Sequence, residues 1–267
     1  MATATLTPHD LVVLEKIKDP ESGPSAPIMI DSSLTKDPHI TDSTTYQTIV
    51  QREGAIISSI QKGELQFASP ESNQSSEALV SIYRTAVTAF DELVGEYPDY
   101  ASARNNRAQA LRRIYGDEML VRGLNRSTAL DKSCSNLDLI AASEKVLSDL
   151  DTAISLLSSP TLFAAISPQA ARTLSQAHTQ KGALYHLSAK HLSLDCENLR
   201  IDARRREIGW KKIDFEENAS RHFMLGGRYG NEIARALAVA SNPTAKLCGE
   251  MVREAMRNEY GSSNVVH

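Results

Sequence analysis

The chain has 267 residues, of which 41% are hydrophobic and 5% aromatic, and its formal net charge is -4 at neutral pH. This length and composition allow a sizeable buried core and exclude a wholly disordered chain. Because aromatic residues are scarce while Ala, Leu, Glu and Arg are abundant, the predicted fold class is all-α. A weakly acidic protein has no global basic field for a phosphate backbone, so we expect no general nucleic-acid binding.

Cysteine usage and the amino terminus bear on the compartment. Cys134, Cys196 and Cys248 are widely spaced and form no CxxC, which indicates ordinary thiols in a reducing environment. The amino terminus has no basic flank and only a short apolar stretch, unlike a signal peptide. No apolar run approaches the roughly 20 residues that a bilayer-spanning helix needs. We therefore expect a cytoplasmic protein that can also be nuclear, with no membrane partner.

The first 44 residues divide into two predicted parts. Thr7 and Pro8 resemble a helix cap with proline at the first helical position, and Leu11, Leu14 and Ile17 supply an apolar stripe. Residues 1–18 are therefore predicted to form a short helix. Residues 19–44 are rich in Pro, Ser, Thr and Asp, a composition that buries too little surface to offset the entropy of ordering, so we predict a flexible linker.

From residue 45 onward the apolar periodicity is helical, with no strand-like alternation. Polar inserts lie near 66–75, 117–136 and 193–200. The predicted helices are 45–62, 76–96, 101–115, 137–157, 168–192, 201–224, 231–240 and 243–260.

Small, aromatic and proline residues recur in these helices in the order that is typical of tetratricopeptide repeats. Ala86, Phe90 and Leu93 occupy the second-helix positions, Pro98 stands where the terminating proline belongs, and Ala108 falls at the small crossing position of the next helix. The same pattern is continued by Gly54, Ile57, Leu111, Val146, Leu150, Ala153, Gly182, Tyr185 and Phe215.

The spacing of these anchors departs from the plain repeat. Phe90 to Leu150 is 60 residues and Leu150 to Phe215 is 65, compared with about 34 for an unbroken repeat. Longer helices and enlarged turns account for the excess better than a different fold, although a plain helical bundle is the alternative. We predict a short right-handed solenoid of three helix pairs over residues 45–240. Residues 241–267 are predicted to form a capping helix and tail, with an apolar stripe at Leu247, Cys248, Met251 and Val252.

Two longer motifs carry a family resemblance. The segment from Asp99 to Ala110 reads DYASARNNRAQA, and the segment from Asn242 to Met251 reads NPTAKLCGEM. Both are similar to the tetratricopeptide repeat protein 36 family, at its second-repeat entry and its closing helix. The resemblance implies a helical-repeat adaptor or co-chaperone. It also implies, as partners, heat-shock chaperones of the seventy-kilodalton class or an enzyme of tyrosine catabolism.

The predicted peptide-binding surface lies on the first helix of the second pair. First helices line the inner face of such arrays, so their residues off the packing stripe face a bound segment. These side chains offer amide and guanidinium donors for the backbone or carboxylates of an extended peptide. The alternative is an ordinary solvated helix face. The predicted site residues are Ser102, Asn105, Asn106, Gln109, Arg112 and Arg113.

A carboxylate clamp of the kind that holds chaperone tails is not expected. Asn106 matches the middle asparagine of such a clamp, but Gln51, Ala55, Gln176 and Gln180 fall at the other four positions. None of these four is the lysine, arginine or asparagine that the clamp uses, so a chaperone partner would have to bind elsewhere.

Other chemistry-bearing patterns favour structural roles. The basic run at Arg204, Arg205, Arg206, Lys211 and Lys212 is a candidate phosphate or nuclear-import patch, but interleaved acidic residues favour a solvated helix face. The histidines at 178, 186 and 191 do not share one helix face, and no nucleophile and base stand at a recognised spacing. We therefore predict no enzyme activity, no cofactor and no metal. An enzyme with a site on the repeat face and a basic-patch nucleic-acid binder stay as alternatives.

Overall fold

The computed structural model describes the part of the chain that contains every predicted helix except the first. The described residues are 28–69, 75–123, 126–159, 164–192 and 199–261. The predicted helix at 1–18 and the first part of the predicted linker lie outside them. Within the described residues the secondary structure is helical, apart from two isolated bridges, so the all-α prediction is confirmed.

Eight α-helices follow one another along the described chain. Two short 3₁₀ turns accompany them, at Asp117–Leu120 and Arg206–Gly209. The α-helices are α1 (Ser43–Ala68), α2 (Ser76–Glu96), α3 (Ala101–Tyr115), α4 (Asn136–Leu157), α5 (Pro168–His191), α6 (Lys212–Arg228), α7 (Glu232–Ser241) and α8 (Pro243–Gly261).

Polar side chains define where most of these helices begin. Asp42, Ser75, Ser135, Ser167 and Asn231 each accept a hydrogen bond from a backbone N–H in the first turn of α1, α2, α4, α5 and α7. Each of these caps satisfies a donor that the helix itself cannot pair, a contribution of about 1 kcal/mol. The observed starts of these helices lie within two residues of the predicted starts because capping is a local signal.

The helices pack as consecutive pairs, α1 with α2, α3 with α4 and α5 with α6, and each pair also packs on the next. The predicted anchors Phe90, Leu150 and Phe215 are fully buried, as are Ala108 and Tyr185. Residues from α3 to α7 share the largest hydrophobic cluster. The packing is that of a helical repeat, as the anchors predict.

Glycines mark the places where helices approach most closely, and one differs from the prediction. A Cβ at Gly182 would lie 2.8 Å from the Phe223 ring, so α5 and α6 cross at the predicted small residue. In the first pair the close approach is at Gly63, where a Cβ would lie 2.7 Å from Ile82. Gly54, the predicted crossing glycine, is exposed with no neighbour there.

The segment predicted as a helix over 201–224 is helical only from Lys212. Before it, Asp202 accepts hydrogen bonds from the backbone and side chain of Arg204, a local arrangement that competes with a helix. Glu207 is fully buried and accepts a hydrogen bond from Tyr185 Oη at 2.7 Å. The segment therefore folds across α5, because long-range partners outweigh its local helical pattern.

The last two helices differ in how much they pack against the third pair. Ala234 of α7 is fully buried, and Gly227 of α6 lies so close to α7 that a Cβ there would be 2.8 Å from Arg235 Cα. The predicted capping stripe on α8 is instead exposed, with Leu247 at 58% and Met251 at 62%. The cover over the third pair therefore comes mainly from α7.

The last two residues of the predicted linker, Ser43 and Thr44, begin α1, whereas residues 28–42 contain no helix but make specific contacts. Ile30 pairs with Ile166 in a parallel bridge, and Asp31 donates its N–H to the Ile166 carbonyl at 3.0 Å. Ser167 Oγ donates to the carbonyl of Lys36 at 2.9 Å. These contacts hold the segment against the start of α5.

Candidate functional site

A groove runs between the first helices of the three pairs, α1, α3 and α5. It has a volume of about 720 Å³. Apolar side chains from α1 and α2 line one part of it. Two arginines from α3 and amides from α3 and α5 line another part. The residues lining this central groove are Ile57, Ile60, Gln61, Glu64, Tyr83, Phe90, Asn106, Gln109, Ala110, Arg112, Arg113, Asp117, Thr128, Gln176, Thr179, Gln180, Ala183 and Asn231.

Four of the six predicted site residues line the central groove, and two do not. Asn106, Gln109, Arg112 and Arg113 belong to the lining. Asn105, by contrast, is fully buried. The predicted surface is therefore present, but it is narrower than the sequence pattern indicates.

Asn105 joins α3 to α5. Its Nδ2 donates to Gln176 Oε1 at 3.1 Å, and its Oδ1 accepts from Gln180 Nε2 at 2.8 Å. These hydrogen bonds orient the two glutamines at the edge of the groove. Ser102 is half-buried and lies outside the groove lining, near Tyr100. Neither residue lines the groove, and Asn105 positions two side chains that do.

Asn106 lines the groove but also holds α3 against α1. Its Nδ2 donates to Glu53 Oε1 at 2.7 Å, and Tyr100 Oη donates to Glu53 Oε2 at 2.6 Å. Burial first, and then the charge of Glu53, raises the pKa of Tyr100 well above its ordinary value, so the phenol remains a donor. Both oxygens of a buried carboxylate are thus satisfied, and loss of Asn106 would leave one of them unpaired.

The two arginines of the groove differ in how strongly they are held. Arg112 donates to Asp117 at 2.8 Å and to Gln180 at 3.0 Å, and its side chain is 14% exposed. Arg113 is 46% exposed, and its nearest carboxylate, Glu64, lies 3.8 Å away. Exposed pairs of this length contribute little energy. Arg113, together with the exposed Gln109, is therefore the part of the predicted surface best able to bind a ligand.

A second recess continues the groove beyond α5, and sequence reasoning did not predict it. Gln176 and Asn231 line both spaces, which joins them into one surface. The recess has a volume of about 520 Å³. Its walls come from α5, from α7 and from Ile30 in the predicted linker, and no local pattern brings these together. We call it the side recess; it is lined by Ile30, Pro168, Ala171, Arg172, Ser175, Gln176, Tyr229, Gly230, Asn231, Glu232 and Ile233.

Between α5 and α6 lies a buried polar cluster that does not line the groove. His178 Nδ1 and His222 Nδ1 are 2.9 Å apart, so one ring donates to the other. Burial, and second the charge of Lys181, lowers the pKa of both histidines. Only His178 of this pair belongs to the histidines singled out from sequence, because its partner lies 44 residues away.

The charged half of this cluster uses part of the predicted basic run. Lys181 is almost fully buried and pairs with Asp151, while Arg205 donates to Asp151 at 2.6 Å and to Glu207 at 2.9 Å. Burial alone would raise the pKa of Glu207, but hydrogen bonds from Arg205 and Tyr185 outweigh it and lower the pKa to about 2. Arg205 is thus internal, and the run is not one continuous exposed face.

Two further findings concern the described residues. No three His, Cys, Asp or Glu side chains in the described ranges are grouped so as to hold a metal ion. No helix in the same part of the chain is long and apolar enough to cross a membrane.

Comparison with known proteins places the chain. It is 34% identical to the L-tyrosine degradation gene cluster protein hmgX of Aspergillus fumigatus over 261 residues, 96% of this chain and 93% of that protein. It is 26% identical to the tetratricopeptide repeat protein 36 homolog of Drosophila melanogaster over 63% of this chain and 80% of that protein. No family profile matches the chain, and no solved structure matches it. The chain therefore belongs to the same family as the fungal hmgX protein, and it resembles the tetratricopeptide repeat protein 36 homolog over a smaller part of its length.

Proposed function

We propose that this protein is a non-enzymatic adaptor that holds an extended segment of a partner protein in the central groove. The observation that carries this proposal is the open groove between α1, α3 and α5, lined by the exposed donors Gln109 and Arg113. Amides and guanidinium groups are suited to a peptide backbone and its carboxylates. The groove also has an apolar floor, which includes Ile57 and Ile60, for a side chain of the partner.

The placement of the ionisable groups supports an adaptor over an enzyme. His178, Lys181 and Glu207 are buried and hydrogen-bonded or ion-paired within the chain, and none of them lines the central groove. The acidic residues that do line it, Glu64 and Asp117, accept hydrogen bonds from Tyr83 and Arg112. The groove therefore offers binding groups rather than a poised acid and base.

We infer that the partner is an enzyme of tyrosine degradation. Support comes from the name of the Aspergillus relative, which is 34% identical over nearly the whole chain. A seventy-kilodalton heat-shock chaperone is the second candidate partner, from the family resemblance. Gln176 and Gln180, which stand at two clamp positions, are engaged with Asn105, so a tail-clamp mode receives no support. We propose that the protein acts in the cytoplasm.

The test is capture of partners by a groove variant and a matched control. The groove variant combines Gln109→Glu with Arg113→Glu; the control combines Gln47→Glu with Lys132→Glu at exposed positions outside the groove and has the same change in net charge. Loss of charge-assisted hydrogen bonds costs about 1.5 to 3 kcal/mol each. Capture should therefore weaken at least about tenfold in the groove variant only.

The readout is quantitative mass spectrometry of proteins retained from lysates of tyrosine-fed cells. Both variants must first melt like the parent by circular dichroism. Enrichment of a tyrosine-degrading enzyme by the parent and the control, but not by the groove variant, is the expected result. If only a heat-shock chaperone follows this pattern, the partner is the chaperone. Equal capture by all three proteins would show that the groove is not the binding surface.

A further inference from the structure

The side recess adds a distinct surface to the central groove. Its two most exposed apolar side chains are Ile30, 58% exposed, and Ile233, 72% exposed. They stand on different parts of the chain and line the same recess. A single exposed aliphatic residue is ordinary, but two that line one recess provide a place for a third apolar side chain.

Hydrogen bonds hold the backbone at both isoleucines. Around Ile30, Asp31 donates to the Ile166 carbonyl at 3.0 Å, and Ile166 donates to the Met29 carbonyl at 2.8 Å. Ile233 lies in the first turn of α7, where Asn231 Oδ1 accepts a hydrogen bond from the N–H of Ala234 at 3.1 Å. The recess is therefore formed before any ligand arrives, which reduces the entropy cost of binding.

Arg172 supplies a charge at the same place. It lies in the first turns of α5, its side chain is exposed, and it pairs with no carboxylate among the described residues. The acidic residue on the other wall, Glu232, pairs with Arg235 at 3.1 Å. Arg172 thus differs from Arg112, whose charge is already matched by Asp117.

The distance along α5 links Arg172 to the arginines of α3. Arg172, Gln176 and Gln180 are spaced by four residues and share one side of α5. Eight residues of helix rise by about 12 Å. Gln180 accepts a hydrogen bond from Arg112 at 3.0 Å, and Arg113 follows it in α3. An extended chain advances about 3.3 Å per residue, so about four residues reach from Arg172 to Gln180 at the edge of the central groove.

From this geometry we propose that the groove and side recess together select an acidic, aliphatic segment. One carboxylate of the segment binds Arg172, an aliphatic side chain two residues away in sequence lies between Ile30 and Ile233, and the segment continues past Gln176 into the central groove. Side chains two apart in an extended chain point to the same side, so both face the recess. This inference rests on the proposed function, since it names the chemistry of the segment that the adaptor holds.

The test uses a synthetic peptide as the probe. The peptide is acetylated, amidated and fluorescein-labelled, with the sequence Ile-Ser-Glu-Ser-Thr-Ser-Gly, which places the glutamate two residues after the isoleucine. Its dissociation constant is measured by fluorescence anisotropy with the full chain. Replacing the glutamate by glutamine, or the isoleucine by serine, should weaken binding at least about tenfold, because each removes a charge-assisted contact or an apolar anchor.

Protein variants locate the contact. Arg172→Glu should weaken the parent peptide at least about tenfold, whereas Arg257→Glu, an equal charge change on exposed α8, should leave it unchanged. A peptide with lysine in place of the glutamate should bind Arg172→Glu better than it binds the parent protein. Ile233→Ser should weaken the isoleucine peptide and leave the serine peptide unchanged. These exchanges separate direct contact from a general effect of charge.

The outcomes separate this inference from the proposed function. If the parent and glutamine peptides bind equally, or if Arg172→Glu and Arg257→Glu behave alike, the acidic and aliphatic specificity is wrong. The adaptor function would still stand in that case, provided that the groove variant at Gln109 and Arg113 loses its partner. If that groove variant also retains its partner, the proposed function is wrong and this inference is wrong with it.

Discussion

The buried histidine pair makes stability depend on pH in a way that can be calculated. A hydrogen bond between two Nδ1 atoms 2.9 Å apart requires that at least one ring is unprotonated. His178 is almost fully buried and packs face to face with Tyr229 at 6.1 Å between ring centroids. The facing cations Lys181 and Arg221 also oppose protonation. Both folded-state pKa values are therefore lower than the ordinary histidine value.

The sign follows from proton linkage. Below about pH 6.5 the unfolded chain binds protons at both histidines, whereas the folded pair does not, so the free energy of unfolding falls as pH falls. Each histidine contributes about 1.2 kcal/mol between pH 6 and pH 5, and the pair about 2.4 kcal/mol. For a chain of this size that corresponds to a decrease of about 5 to 10 °C in melting temperature.

The perturbation that isolates this effect is His222→Asn. The asparagine amide is placed near the former Nδ1 and retains a hydrogen-bonding group for His178, but it cannot be protonated. The loss of stability between pH 6 and pH 5 should then shrink by about 1.2 kcal/mol. The control is His191→Asn on the exposed end of α5, which should leave the full pH dependence.

The assay is urea denaturation followed by circular dichroism for the three proteins at pH 5 and pH 6. Only the difference between the two pH values is compared within each protein, which cancels any loss of packing from the substitution itself. The same carboxylates are present in all three proteins, so their contribution to this difference also cancels. A parent protein whose unfolding free energy is unchanged between the two values, or equal slopes in the parent and His222→Asn, would refute the reasoning.

Three further predictions concern packing. Gly227→Ala should lower the melting temperature strongly, because its Cβ would lie 2.8 Å from Arg235 Cα. Gly54→Ala should preserve or raise the melting temperature, because its Cβ would have no neighbour within 4 Å. Thermal melts of the two variants test this difference. Removing residues 243–267 should lower the free energy of unfolding by less than about 1 kcal/mol in urea titrations, because the apolar stripe of α8 is exposed. A larger loss would show that α8 caps the array as the sequence predicts. Limited proteolysis should leave residues 28–42 intact, because their backbone is hydrogen-bonded to the start of α5; early cleavage there would support the flexible-linker prediction instead.

Elements whose signals are local were predictable from the sequence. The bounds of α2 and α3 equal the predicted ones, because Ser75 caps the first and Pro98 separates it from the second. Phe90, Leu150 and Phe215 are buried as predicted because a helical apolar stripe must face a neighbouring helix. Local chemistry was thus sufficient for helix bounds and for the packing face.

Features that depend on distant partners were not predictable in this way. Residues 201–211 have helical periodicity, yet buried Glu207 binds Tyr185 and holds them in a different path. Asn105 was assigned to the open surface because it lies off the predicted packing stripe of α3, but α5 covers it and binds its side chain. The same limit explains why the sequence pattern did not reveal the side recess, whose walls are far apart along the chain.

Helix α5 connects the buried cluster to the binding surface. Gln176 and Gln180 face the groove, while Lys181 and Tyr185, close to them along the same helix, are buried against Asp151 and Glu207. Consecutive residues on a helix differ by about 100° in direction, so a slip of one residue would place Lys181 where Gln180 now lies and break both the Lys181–Asp151 ion pair and the Tyr185–Glu207 hydrogen bond. The charged contacts therefore oppose rotation of α5. Because the direction of the glutamines follows that rotation, the buried cluster determines which amides a bound segment meets.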